Sequence, residues 1–75
     1  MTRIVSVSPN ATGWTVSAES FEPMVFFSGA KAEAAARSLA DKVASGGHHA
    51  EIRIFLRDGS MAGRFVRTPD FQLAG

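Results

Sequence analysis

The stretch AEIRIFLRDGSMAGRF, residues 50–65, decides the fold that we predict for this chain. Its apolar residues at positions 52, 54 and 56 alternate with residues 51, 53 and 55, which is typical of a strand with one buried face. Asp58-Gly59 is a strong hairpin signal, and a two-residue turn there fixes the register with the next strand. The core-facing pairs predicted from this turn are Leu56 with Met61, Ile54 with Gly63, and Ile52 with Phe65.

The N-terminal half of the chain predicts three more strands. Arg3 to Ser8 and Trp14 to Ala18 both alternate, and turn-forming residues separate them. A four-residue loop from Pro9 to Thr12 would set apolar side chains opposite each other on one face. The pairs are Val7 with Trp14 and Val5 with Val16. A short apolar run at residues 24–27 then predicts the third strand.

One helix is predicted between the two groups of strands. It runs from Gly29 to about Ala44, with Ser28 as N-cap and a left-handed stop at Gly46-Gly47. Its buried stripe is mostly alanine, so Leu39 and Val43 are its main apolar anchors. The fold class that follows is α+β, with an antiparallel sheet in the chain order β-β-β-α-β-β and one helix packed on one face.

Length and composition limit the chain to one small domain. Its 75 residues contain no cysteine and carry a net charge of +1, and we divide them into a domain at 1–67 and a C-terminal tail at 68–75. So short a chain buries only about 60% of its unfolded surface, so we expect marginal stability and a benefit from association. No apolar run approaches a membrane-spanning length, and we expect a cytoplasmic protein with no membrane contact.

The alternation on each strand and the helical stripe together predict the core. The predicted core residues are Val5, Val7, Trp14, Val16, Phe26, Leu39, Val43, Ile52, Ile54, Leu56 and Phe65.

The apolar run of the third strand is the first candidate interaction site. Met24, Val25, Phe26 and Phe27 are consecutive, so they cannot all face one core in so small a domain. Some of them should meet another protein surface, and a second copy of the chain is the simplest supplier. We therefore predict a homo-oligomer, most simply a dimer.

An arginine and phenylalanine face on the C-terminal hairpin is the second candidate. The predicted register sets Arg53 opposite Arg64, with Phe55 and Arg57 close by, and like charges in that position are destabilising. In one interpretation Glu51 lies diagonally near Arg64 and solvent screens the rest. In the other, the face contacts a phosphate backbone or the carboxylates of a partner.

No catalytic residue, metal site or cofactor is predicted. His48 and His49 lack the further ligands that a tetrahedral metal site needs, so we interpret them as a solvated pair. Gly46-Gly47 follows a helix, whereas phosphate-binding glycines precede one. We therefore expect a non-enzymatic interaction module with no small-molecule substrate, and a small nucleic-acid-binding domain as the alternative.

Several short motifs resemble a family of short bacterial proteins called domain of unknown function 2188. The motifs are Gly13-Trp14-x-Val16, Lys31-x-Glu33-Ala34, Ala36-Arg37-x-Leu39-Ala40, Ile52 and Arg57-Asp58-Gly59-x-Met61. The resemblance covers roughly residues 3–66 and implies the same fold, but it brings no activity with it. The chain departs from the family at residues 46–49, at residues 24–27 and in its C-terminal tail.

Overall fold

The computed structural model describes residues 2–69, which form one helix and a five-stranded mixed sheet. The α+β class is confirmed. The elements are β1 (Thr2–Pro9), β2 (Trp14–Ala18), β3 (Phe21–Phe26), α1 (Gly29–Ser45), β4 (His49–Phe55) and β5 (Met61–Arg67). The predicted domain boundary lies where β5 ends, and residues 70–75 of the predicted tail lie outside the described residues.

The prediction of a fully antiparallel sheet is wrong, because β1 and β4 pair in parallel over residues 2–7 and 49–54. The strand order is β3-β2-β1-β4-β5. Since β1, β2 and β3 form an antiparallel meander, β3 runs in the same direction as β1. The helix then returns the chain across the sheet, so β4 starts at the same end as β1 and has to run parallel to it.

The first hairpin differs from the prediction by two residues. Val7 lies opposite Val16, and Pro9 lies opposite Trp14, because the loop spans residues 10–13. Asn10 closes this loop: its backbone N–H donates to the carbonyl of Gly13 at 2.8 Å, and its side chain accepts from the backbone N–H of Thr12 at 2.9 Å. A shift of two residues leaves each side chain on its predicted face, since side chains alternate with a period of two.

The second hairpin has a three-residue loop instead of the predicted two-residue turn. Leu56 donates its N–H to Ser60, and accepts from the N–H of Gly59, whose φ of 89° places it in the left-handed region that this loop type requires. Phe55 therefore lies opposite Met61, and the predicted pair of Leu56 with Met61 is wrong. A bulge then restores the register, so the predicted pairs of Ile54 with Gly63 and Ile52 with Phe65 are confirmed.

The helix is held at both ends and packs its alanine stripe on the central strands. The Ser28 hydroxyl accepts from the backbone N–H of Lys31 at 3.3 Å, and Gly47 is left-handed just beyond the last turn. The helix lies mainly over β4, β1 and β2. The predicted core residues that are buried there are Val5, Val7, Val16, Leu39, Val43 and Ile52.

Two of the predicted core residues are exposed. Leu56 lies in the hairpin loop, beyond the end of β4. Phe65 lies opposite Ile52 as predicted, but it belongs to an edge strand that the helix barely covers, and the guanidinium of Arg37 lies 4.7 Å from its ring centre. The remaining three predicted core residues are half-buried and pack against the core; they are Trp14, Phe26 and Ile54.

Candidate interaction surfaces

The strand β3 forms one edge of the sheet and carries an apolar surface. Phe27 is 87% exposed, Val25 is 64% exposed and Met24 is 36% exposed, whereas Phe26 turns inward beside Trp14. Phe27 is the most exposed because it lies after the strand ends, directly before the N-cap of the helix. Three of the four predicted contact residues therefore lie on the surface, whereas Phe26 packs against the core.

The two faces of β3 differ in what lies beside them. Met24 lies opposite Val16 and Phe26 opposite Trp14, so both belong to the helix-covered face. Val25 lies opposite Thr15, on the face that carries no helix within the described residues. Pro23 also lies on this strand, and its place at an edge fits the missing backbone donor of proline.

The arginine and phenylalanine face is organised around Glu51. This carboxylate is only 6% exposed although it lies on the helix-free face. Arg64 donates to it from Nε at 2.9 Å and from a terminal nitrogen at 3.0 Å, and Arg53 donates to it from its Nε. The three side chains together carry a single positive charge, so Glu51 neutralises one of the two arginine charges inside the chain.

The two arginines also change the acidity of this carboxyl group. Their hydrogen bonds, first from Arg64 and then from Arg53, lower the pKa of Glu51 from 4.5 to about 2, because they stabilise the ionised form. The same contact raises the pKa of Arg64. Arg53 and Arg64 lie opposite each other, as predicted. The geometry agrees with the first interpretation of the sequence, in which Glu51 lies near Arg64 and offsets the repulsion between the two arginines.

The other two members of this face are less available than the sequence indicates. Arg57 donates to the backbone carbonyl of Asn10 at 3.0 Å, which ties the second hairpin to the first. Phe55 is half-buried. The four predicted contact residues therefore lie near one another, but each arginine already has an acceptor in the chain.

The two histidines have different surroundings. His49 starts β4 and is exposed, whereas His48 is half-buried and lines a small cavity. The prediction of a loop pair is therefore incomplete, since only His48 precedes the strand. In residues 2–69 no group of three or more His, Cys, Asp or Glu side chains could hold a metal ion.

The cavity beside His48 is a feature that the sequence analysis missed. We call it the basic cavity; its volume is about 200 Å³, and it is lined by Arg3, Phe21, Lys42, Val43, Gly46 and His48. The Nε of Arg3 is buried and has no hydrogen-bond partner among the described residues. Such an unpaired donor costs about 1–3 kcal/mol. The alternation of β1 indicates that Arg3 shares the inward register of Val5 and Val7, but it does not indicate that Lys42 and His48 lie beside it.

A second cavity of about 380 Å³ lies at the last turn of the helix and the end of β5. Its charged groups, Asp41 and Arg67, pair with each other at 3.3 Å. On the same helix Glu33 and Arg37 pair at 2.8 Å, one turn apart, whereas Asp41 turns to β5.

Comparison with protein-family models, curated proteins and solved structures finds no match to this chain. The resemblance to domain of unknown function 2188 therefore stays a prediction. The one helix of the described segment is too short and too polar to span a membrane.

Proposed function

We propose that this chain is a small non-enzymatic interaction module of the cytoplasm that forms a homodimer through β3. The observation that carries the proposal is an edge strand whose apolar side chains are exposed on both of its faces. The lack of cysteine supports the cytoplasmic assignment. In residues 2–69 the two charged side chains that line the larger cavity, Asp41 and Arg67, pair with each other, which supports a non-enzymatic role.

The two edges of the sheet differ in the way that this proposal requires. Edge strands of monomeric proteins are usually protected by charged side chains, which oppose pairing with another chain. The strand β5 has such protection in Arg64 and Arg67, whereas in β3 the only charged residue is Glu22. Residues 24–27 follow this glutamate and Pro23, so this apolar end of the strand is open to a second copy.

A second copy is the occupant that the charges and the domain size favour. Residues 24–27 carry no charge, so a partner of matching chemistry is itself apolar, and the same strand of another protomer meets that condition. Burial of each apolar side chain contributes roughly 1.5–3 kcal/mol and is counted twice in a two-fold contact. Association costs roughly 4–15 kcal/mol, which offsets most of this gain, so we expect a weak dimer with a dissociation constant between about 1 µM and about 1 mM.

The test is light scattering coupled to size exclusion, with loading concentrations from about 1 µM to about 1 mM, which bracket that affinity. The wild-type chain should move from monomer to dimer over this range. Val25→Lys should keep it monomeric, because lysine on an edge strand opposes pairing. The matched control is Val66→Lys, which places the same charge at a 49% exposed valine on the opposite edge and should leave the dimer intact.

Two results would contradict the proposal. The first is a monomer at every concentration. The second is equal dimerisation of the Val25→Lys and Val66→Lys variants, which would place the interface away from β3. Circular dichroism of both variants confirms that each one is folded before the comparison is made.

The nucleic-acid alternative has weaker support from the geometry. Glu51 neutralises one of the charges on Arg53 and Arg64, so with Arg57 the face offers about two net positive charges. Binding through this face would show a salt dependence with a logarithmic slope of only about −2. A mobility shift of a mixed oligonucleotide pool with a much steeper slope would favour nucleic-acid binding by a larger surface and would replace our proposal.

A further inference from the structure

We propose that the basic cavity binds a single phosphate group, because three basic side chains from separate elements converge on a small space that no acidic side chain of residues 2–69 lines. Arg3 comes from β1, Lys42 from the last turn of α1 and His48 from the residue before β4. This proposal does not depend on the homodimer.

The charges of the basic cavity are not balanced within the described residues. The ion pairs found in residues 2–69 use Arg37, Arg53, Arg64 and Arg67, and neither Arg3 nor Lys42 takes part in one. The positive charge of Lys42 is stabilised by the partial negative charge that every helix carries at its C-terminal end. This effect accounts for Lys42 but gives Arg3 no acceptor.

Two carbonyls beside the cavity, those of Lys42 and Val43, already accept backbone hydrogen bonds. The carbonyl of Lys42 accepts from the N–H of Gly46, and the carbonyl of Val43 accepts from Gly46 and His48. The Nε of Arg3 is buried and still has no partner in the described part of the chain. Arg3 lines the cavity, so an oxyanion there would be attracted by its guanidinium charge, and a small movement of this side chain would let the buried Nε donate a charge-assisted hydrogen bond to the ion.

The size of the cavity favours a small ligand. Pockets for drug-sized molecules and cofactors usually measure about 300–1,000 Å³, and the basic cavity measures about 200 Å³. A phosphate group is small enough and offers acceptor oxygens in several directions. It therefore suits donors that arrive from three elements better than a planar carboxylate does.

The test is a titration of the full chain followed by NMR, with inorganic phosphate, with glycerol phosphate, and with chloride at equal ionic strength as the reference. The amide signals of Gly46 and His48 should shift and saturate with phosphate, with a dissociation constant of about 1 mM or below. Saturation by inorganic phosphate alone would mean that the ligand is the free ion. Saturation by both would mean that the cavity also accepts a phosphate ester.

Variants separate the cavity from general attraction to a basic surface. Lys42→Gln changes an exposed side chain, so the fold is kept, and it should weaken phosphate binding roughly tenfold. Arg3→Gln should abolish saturation where the variant is folded. The control is Lys31→Gln, which removes the same charge from the exposed first turn of the same helix and should leave binding unchanged.

The proposal is overturned if phosphate causes no saturable shift beyond that of chloride. It is equally overturned if Lys42→Gln and Lys31→Gln bind phosphate with the same affinity, since binding would then depend on overall charge and not on the cavity.

Discussion

Substitution of Gly13 by alanine tests how β3 is held against the first hairpin. A Cβ atom at this position would overlap the carbonyl oxygen of Phe26 and lie 3.1 Å from both the carbonyl carbon of Phe26 and the Cα of Phe27. All three are backbone atoms, so no side-chain rotation relieves the contact. The backbone of Gly13 is not in the left-handed region, and the effect of the substitution is therefore purely steric.

The size of the effect follows from that contact. Added atoms in a packed region usually cost about 1–3 kcal/mol, and we expect the upper end, about 3 kcal/mol, because the backbone of either the loop or β3 has to move. For a domain of this size each kcal/mol lowers the melting temperature by about 4–8 °C, so the loss should be about 12–24 °C. The displaced residues include Phe27, so dimerisation through β3 should weaken as well.

The assay is urea unfolding followed by the fluorescence of Trp14, which is the only tryptophan of the chain and lies opposite Phe26. The control is Gly63→Ala, where a Cβ would lie 3.5 Å from the ring of Phe65 in ordinary contact. This control should be neutral or more stable by up to about 1 kcal/mol, since alanine restricts the unfolded chain. If Gly13→Ala differed from wild type by less than about 0.5 kcal/mol, the close approach of the loop to β3 would be refuted.

Substitutions at three further positions test the helix and the buried carboxylate. The pKa of Glu51 falls from 4.5 in the unfolded chain to about 2 in the folded one, so its stabilising contribution is complete above about pH 4.5 and disappears as the pH falls towards 2. Glu51→Gln should therefore flatten the dependence of the unfolding free energy on pH between these two values. An unchanged slope would exclude the contact of Glu51 with both arginines. Leu39→Ala should lower the free energy of unfolding in urea by about 2–5 kcal/mol, because Leu39 is the largest side chain that the helix buries. A loss below about 1 kcal/mol would mean that the alanine stripe alone holds the helix on the sheet. Ser28→Ala should cost about 1 kcal/mol through the lost N-cap, whereas Ser28→Asp should retain the helix stability measured by circular dichroism.

The faces of the strands were predictable because alternation has a period of two. The first hairpin is displaced by two residues, and Val5, Val7 and Val16 still face the core as predicted. In the second hairpin a longer loop shifts the register by one residue and a bulge shifts it back, so Ile52 and Ile54 keep their predicted partners. The turn type itself was not predictable from Asp58-Gly59, since glycine in the left-handed region serves both loop lengths.

The depth of burial was less predictable than the face. Alternation places Phe65 on the helix side, but it does not show how far an alanine-rich helix extends across the sheet. The helix lies mainly over the three central strands, so Phe65 on the edge stays partly exposed beside the guanidinium of Arg37. The half-burial of Trp14 has a related cause, because its ring packs against the start of the helix at Gly29, near the margin of the core.

The parallel pairing of β1 with β4 is the one topological error, and it also explains why the basic cavity could not be predicted. In the observed register Arg3 lies opposite Ala50, so the start of β1 lies beside the start of β4 and next to the end of the helix. An antiparallel pairing would place Arg3 beside the other end of β4, far from His48 and Lys42. The cavity exists because an odd number of antiparallel strands precedes the helix and fixes the direction of β4. Residues 3, 42 and 48 carry no local pattern that reveals this, whereas Arg53 and Arg64 are conspicuous in the sequence and share the negative charge of Glu51 in the fold.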